Sequence, residues 1–345
     1  MPELPEVETV RRGLNKFIVG RTIRDITVLN EKSFDASASD RAALIGARVV
    51  GVRRRGKLLI IDLNNPTGSA TPTHLPLTGE DKNSEPRPDS MKMQEAEYLT
   101  GEAESRPAKG GQAGDLVAAG WVSLLCHLKM TGQMVYRGED SWGAGHPNES
   151  FVGELPDRST RVIFTFDDGS KLFFNDQRKF GRILFWPTDD VNNFPFIKKL
   201  GPEPFNDDGL TEFLKRAKRH QNAPIKAVVL DQSVVAGIGN IYADEALWLA
   251  KIHPATRVKD LSDAQLTAIY HAAGQVMTKS IESGGSSMKN YVKADGSRGD
   301  YLDNFAKVFN RTGQPCERCG TEIVKTRVAG RGTHICPRCQ QEYRR

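Results

Sequence analysis

The spacing of apolar residues changes period along the chain. Within residues 3–15, Val7, Val10 and Leu14 fall at i, i+3 and i+7, one apolar face of a helix, and Pro5 is tolerated in its first turn. Short runs rich in β-branched and aromatic residues follow at 22–29, 47–53, 58–63, 121–128, 161–166 and 171–174. Asp168-Gly169, between the last two, is a hairpin signal. The first half therefore reads as a β-sandwich or barrel with a helix at its start. Residues 191–205, with Pro195, Pro202 and Pro204, read as an interdomain linker, and helical periods return at 210–220, 225–230, 240–249 and 263–280. Residues 281–299 are glycine-rich and read as a mobile loop, after which the chain closes on a cysteine-bearing hairpin. There is no internal repeat.

Residues 64–115 break the pattern. Rich in Pro, Gly, Ser, Thr and Glu, and without periodicity, they read as a disordered insertion between two strands. A length of 345 residues favours two domains plus extra segments. No apolar run approaches the roughly 18 residues of a membrane span, and Met-Pro-Glu-Leu-Pro-Glu has neither the basic head nor the apolar stretch of a secretory signal. A cytoplasmic protein without a membrane partner is the expectation, and its five cysteines are ligands or buried thiols rather than disulfides.

The net charge of +5 is modest but uneven. Residues 64–115 hold nine acidic and five basic side chains, a net of −4, which leaves +9 for the rest. The last 35 residues carry eight Lys or Arg against three Glu. A basic C-terminal region fits a polyanion such as nucleic acid, although basic tails also occur for solubility alone.

Cys316-Glu317-Arg318-Cys319 and Cys336-Pro337-Arg338-Cys339, sixteen residues apart, have the spacing of a tetrahedral Cys₄ zinc site. With all four positions filled by thiolate, one Zn²⁺ there is structural. Cys126 has no such partner and reads as an inert buried thiol. Between the pairs, Gly330 and Gly332 suit a hairpin tip from which Arg331 projects, a shape that fits a DNA groove; a solvated basic turn has the same composition.

Removal of Met1 before Pro2 leaves a free secondary amine. An α-amino group with a pKa of about 7.7–8.0 is already about a tenth deprotonated at pH 7. Such an amine can attack a sugar carbon and form an iminium. Glu3 is adjacent, and Glu6 lies one turn further on the same helix face, so two carboxylates can serve proton transfer beside it. Pro and Glu are also ordinary helix-start residues.

Met-Pro-Glu-Leu-Pro-Glu-Val-Glu-Thr-Val resembles the start of the formamidopyrimidine-DNA glycosylase family, in its oxidised-purine branch, and the similarity spans nearly the whole chain outside 64–115. It implies an α+β protein. Residues 1–190 would form a β-sandwich carrying the N-terminal catalytic helix. A linker at 191–205, a helix–two-turn–helix lobe at 206–310 and a zinc ribbon at 311–345 would follow. The resemblance assigns nucleophilic attack on C1′ to Pro2, proton transfer to Glu3, support to Glu6, and a phosphate contact that aids catalysis to Lys57, with Arg331 joining the site from the ribbon.

His127-Leu128-Lys129-Met130-Thr131-Gly132 and Asp176-Gln177-Arg178-Lys179-Phe180-Gly181 are similar to two further family segments. They imply that Met130, Arg178 and Phe180 wedge into the space left by an extruded nucleotide, with Arg178 facing the orphaned base. His127 and Lys179 are then phosphate contacts, and Lys179 stands where Arg is more usual, a point charge in place of a bidentate fork. Gly237-Ile238-Gly239-Asn240 opening a helix resembles the helix–two-turn–helix, with Asn240 and Lys226 as phosphate contacts and the free amides of the helix facing the same phosphate. Residues 283–287 and 295–299 resemble a loop that closes over the flipped lesion.

The activity implied is that of a monomeric glycosylase and abasic-site lyase acting on double-stranded DNA with oxidised bases or abasic sites, through β- and δ-elimination. The rivals are an oxidised-pyrimidine enzyme of the same superfamily and a non-catalytic zinc-ribbon DNA-binding protein. Leu4-Pro5-Glu6-Val7 and the Met/Arg/Phe wedge argue against the first; Pro2, Glu3 and Lys57 argue against the second.

Overall fold

In the computed structural model, residues 2–64, 121–146, 149–285 and 301–342 are described. Most of the expected insertion (65–115) and of the expected lesion-capping loop (286–299) lies outside them.

The helical period at the N-terminus produces α1 (Leu4–Phe17). Among the described residues ten strands follow before the helical half: β1 (Ile23–Val28), β2 (Phe34–Asp35), β3 (Arg48–Arg55), β4 (Leu58–Asn64), β5 (Trp121–His127), β6 (Gly132–Arg137), β7 (Ser141–Gly145), β8 (Thr160–Phe166), β9 (Lys171–Asp176) and β10 (Arg182–Pro187). They form two five-stranded sheets, ordered β1-β8-β9-β6-β7 and β2-β10-β5-β4-β3. All neighbours are antiparallel except β2 and β10. The open choice between sandwich and barrel resolves as a sandwich. Leu59, Ile61, Leu124 and Cys126 of one sheet share a core with Met134, Val162, Phe164 and Phe174 of the other, and Val7, Val10 and Leu14 of α1 join it. Cys126 is fully buried, and burial pushes its thiol pKa well up, which keeps it protonated and unreactive.

The second sheet is covered on its outer face too. Leu58, Ile60, Leu125, Leu184 and Trp186 pack there against Val191, Phe194 and Ile197. This corrects the expected linker. A 3₁₀ helix (Thr188–Asn193) and α3 (Pro195–Lys199) occupy it, with Val191, Phe194, Ile197 and Leu200 buried. Two-sided burial also explains why Leu58-Leu59-Ile60-Ile61 is apolar without alternation.

A short helix α2 (Ala38–Ala43) belongs to the sandwich, whereas α4 (Leu210–Ala217), α5 (Ile225–Leu230), α6 (Asn240–Leu249) and α7 (Asp263–Glu282) build the helical lobe. Its core includes Leu4 from α1, so the first helix is shared by both lobes. The ribbon strands β11 (Val324–Val328) and β12 (Arg331–Ile335) are joined by Ala329-Gly330, both with positive φ (48° and 77°), as a tight primed turn requires. The ribbon sits on α6, where Trp248 packs against Val308, Cys316, Ile323 and Cys336. Among the described residues no helix is long and apolar enough to cross a membrane.

Candidate active site

The start of α1 is pinned against the loop that precedes α6. Leu4 donates its amide to the Gly237 carbonyl at 3.1 Å. The Glu3 carboxylate, 3% exposed, accepts the amides of Gly239 (2.7 Å) and Ile241 (3.0 Å), with that of Tyr242 further off at 3.5 Å. The two glycines make this approach possible. Gly237 has φ +94°, and a Cβ there would lie 2.2 Å from Leu4; a Cβ on Gly239 would lie 2.3 Å from the Glu3 carboxyl carbon. The sequence expectation of free amides at this helix start, open to a phosphate, is therefore corrected: Gly239 and Ile241 give theirs to Glu3. Asn240 is the first residue of the helix rather than its cap, and its Nδ2 donates to the Gly332 carbonyl of the ribbon at 3.1 Å.

Lys57 comes from the β3–β4 hairpin. Gly56 (φ +55°) and Lys57 form its two-residue turn, since Arg55 pairs with Leu58. Lys57 is 4% exposed and its ammonium donates to the Ile238 carbonyl at 2.9 Å, between the two glycines. The turn is held by Glu203, whose carboxylate accepts the Gly56 amide at 2.6 Å and the guanidinium groups of Arg54 and Arg55 at 2.9 and 3.1 Å. Gln232 braces the loop from the other side, accepting the Gly237 amide and donating to Ile238. Neither Glu203 nor Gln232 carries a role in the sequence reading. Their partners are far away in the chain or are backbone groups that no motif displays.

Burial lifts the Glu3 carboxyl from its ordinary 4.5 to about 7; Lys57 opposes the rise and Glu6 adds to it. The group is thus poised to give or take a proton near neutrality. Glu6 accepts the Glu3 amide at 2.7 Å and, through its other oxygen, the Tyr242 hydroxyl at 2.7 Å. That hydroxyl also meets Ser280 of α7 at 2.6 Å. Pro2 is buried beside Glu3. Pro2, Glu3, Glu6 and Lys57 are therefore brought together where the two lobes meet.

The register of the second sheet places the remaining candidates. Leu58 and Arg182 both pair with His127, so the start of β4, the end of β5 and the start of β10 lie at one end of the sheet. His127 is 7% exposed, and burial, aided by Lys129 and Lys57, pushes its pKa well below 6.5. Its Nδ1 accepts the Lys129 amide at 3.0 Å, which leaves the proton of the neutral ring on Nε2 as a donor. The turns after β5 and β9 expose Met130 (37%) and Phe180 (52%), and the Arg178 guanidinium lies 5.0 Å from the centre of the Phe180 ring. Lys179 is exposed in the second turn with φ +60°.

Lys226 departs from the surface contact expected of it. It is fully buried, ion-paired with Asp244 at 2.7 Å, and donates to the Gly332 carbonyl (3.0 Å) and Thr333 Oγ1 (2.8 Å). An ammonium has three donors, and all are accounted for. Here Lys226 is a strut between α5, α6 and the ribbon. Arg331 is exposed at the ribbon turn.

The four cysteine sulfurs lie within 4.8 Å of one another. Cys316 and Cys339 are 3.9 Å apart, and Cys319 is 3.5 Å from both Cys336 and Cys339. A tetrahedron with Zn–S bonds of about 2.3 Å has edges of about 3.8 Å, so the group fits one zinc ion.

Three family models match in order. The formamidopyrimidine-DNA glycosylase N-terminal domain covers residues 1–106 and 94–183, the H2TH domain of the same glycosylase 200–292, and a zinc finger found in FPG and IleRS 313–341. A formamidopyrimidine-DNA glycosylase of Enterococcus faecalis is 35% identical over 344 residues, 99% of this chain and 98% of that protein. One from Synechocystis is 34% identical over 350 residues, covering 100% of both. Among solved structures, Lactococcus lactis Fpg in complex with DNA containing an abasic site is similar at 30% identity and a TM-score of 0.71, covering 99% of this chain and 100% of that one. The wild-type Lactococcus lactis protein with DNA containing an oxidised pyrimidine matches at 31% and 0.71, with the same coverage. The chain belongs to the formamidopyrimidine-DNA glycosylase family.

Proposed function

We propose that the protein excises oxidised purines, 8-oxoguanine and formamidopyrimidines among them, from double-stranded DNA and cuts the strand at the resulting abasic site. The observation that carries this is the buried Glu3 carboxyl, adjacent to Pro2, facing Lys57 and raised to about 7. Once Met1 is removed, the Pro2 nitrogen attacks C1′ of the flipped nucleotide. The N-glycosidic bond breaks, the base leaves with a proton, and the opened sugar is held as an iminium on Pro2. Glu3 is the group that moves protons during these steps; the amides of Gly239 and Ile241 hold its carboxylate, Glu6 accepts its amide, and Lys57 sets a positive charge beside it. β- and then δ-elimination release the cut ends, and hydrolysis of the iminium frees the enzyme. Met130, Arg178 and Phe180 fill the vacated stack, and His127, Lys179, Asn240 and Arg331 meet the backbone or the site from the DNA side. Zinc, when bound, cross-links the two CxxC turns and takes no part in the chemistry. The protein works as a cytoplasmic monomer on chromosomal DNA.

Borohydride trapping on a damaged duplex tests the mechanism. Protein lacking Met1 is expected to form a covalent adduct, and Pro2→Gly to lose most adduct and most strand cleavage. Full-rate cleavage by a form that retains Met1 would overturn the role of Pro2.

A further inference from the structure

The two exposed turns share one buried anchor. Asp176, fully buried at the end of β9, accepts Thr131 Oγ1 from the first turn and the amides of Arg178 (3.2 Å) and Gly181 (2.6 Å) from the second. Thr131, 8% exposed, also accepts the Arg178 amide at 3.0 Å. All three groups hydrogen-bonded to the carboxylate donate to it, and the Thr131 hydroxyl uses both its donor and its acceptor capacity. Gly181 leaves room for this arrangement, because a Cβ there would lie 3.1 Å from Asp176 Oδ2 and 2.6 Å from the Phe174 ring.

The turns need such an anchor. Each carries a lysine in the left-handed region, Lys129 (φ 50°) and Lys179 (φ 60°), and each lysine is followed at once by an exposed apolar side chain, Met130 or Phe180. Non-glycine residues adopt that backbone at a cost, and it persists where surrounding bonds fix it. We propose that Asp176 and Thr131 form a lock that holds the two turns in one fixed relation, and that this lock sets how strictly excision depends on the base opposite the lesion. Asp176 and Thr131 are positioning residues: they act through Met130, Arg178 and Phe180 and touch no reacting atom. The inference rests on the wedge role proposed above.

Excision of a damaged base opposite C and opposite A, and strand cleavage at a preformed abasic site, would be measured for wild type, Thr131→Val, Thr131→Ser and Arg178→Ala, with thermal melting alongside. Thr131→Val keeps the shape but loses the hydroxyl. It is expected to slow excision about tenfold relative to abasic-site cleavage, the scale of one lost hydrogen bond to a charged group, and to narrow the difference between opposite bases. Thr131→Ser restores the hydroxyl and should recover both. Equal losses of Thr131→Val on damaged and abasic substrates overturn the lock. So does wild-type dependence on the opposite base in Thr131→Val when Arg178→Ala has lost it. If Arg178→Ala itself keeps that dependence, the wedge reading fails first, and the lock with it.

Discussion

Two glutamates on the first helix show how position decides proton affinity. Burial favours the neutral form of both Glu3 and Glu8. At Glu8, Arg11 and Arg12 overcome it with charged hydrogen bonds, and the pKa falls to about 2. At Glu3 the charges of Lys57 and of the chain's amino terminus oppose burial without overcoming it, and its pKa stays at about 7. A raised carboxyl pKa stabilises the fold below its unfolded value, and that stability is lost as pH rises towards the folded value. Between pH 4.5 and 7 the Glu3 contribution should therefore fall by on the order of 3 kcal/mol. His127 works the other way in part of this range, since folding favours its neutral ring and acid removes that stability. Glu3→Gln separates them: the stability of wild type minus that of the variant, from urea unfolding, should fall steadily from pH 4.5 to 7. A flat difference would show that Glu3 titrates in the folded protein as it does in the unfolded chain, and its role in proton transfer near neutrality would go with it. The sequence points to Glu3 by adjacency to Pro2. It does not show the proton affinity, which depends on amides more than 230 residues away.

At the scale of elements, runs of β-branched and aromatic residues display β1, β3, β4, β5, β8 and β9. They do not display β10, nor β2, which has two residues, nor β6 and β7, which carry glycine and, in β6, the buried Gln133. Gln133 of β6 and Asn175 of β9 are fully buried partners in the same ladder, and no hydrophobicity pattern marks them. The segment after β10 was legible and easy to misread. Its prolines signal a linker, yet buried Val191, Phe194, Ile197 and Leu200 recur every third residue, and the first three cover the outer face of the second sheet. The register of β4 and β5 also bears on the chain between them. Asn64 and Trp121 are direct partners in an antiparallel ladder, so a two-residue turn could join them. Replacing residues 65–120 with Asn-Gly is therefore expected to leave the melting temperature and lesion excision close to those of the full chain. A collapse of either would mean that the removed residues pack on the sandwich or meet DNA.

Across the whole molecule, the cysteine pairs were legible because metal spacing is local, whereas their attachment to the rest was not. The ribbon and the segment before it are joined to the helical lobe through buried polar groups on consecutive residues of α6. Asp244 accepts the His334 amide at 2.9 Å and pairs with Lys226, while Glu245 accepts the amides of Lys307, Val308 and Phe309 at 2.8, 2.9 and 2.7 Å. Arg318 stacks on Trp248, 3.6 Å from its ring centre, and Gln340 donates to the Ile252 carbonyl. With Cys316 and Cys336 in the same small core as Trp248, loss of metal should release the ribbon from α6. The start of α6 has a second tether, the Glu3 carboxylate, which owes nothing to the cysteines. Cys336→Ser, or stripping the single zinc ion expected per chain, should therefore open the molecule unevenly. Hydrogen exchange is expected to speed up at the amides of Val308, Phe309 and His334 while Gly239 and Ile241 remain protected. DNA affinity should fall, because Arg331 and Asn240 are both placed by the ribbon. If the metal-free protein binds DNA at wild-type strength, or if His334 and Val308 keep their protection, the ribbon is held by its protein contacts alone and zinc is not what joins it to the rest of the molecule.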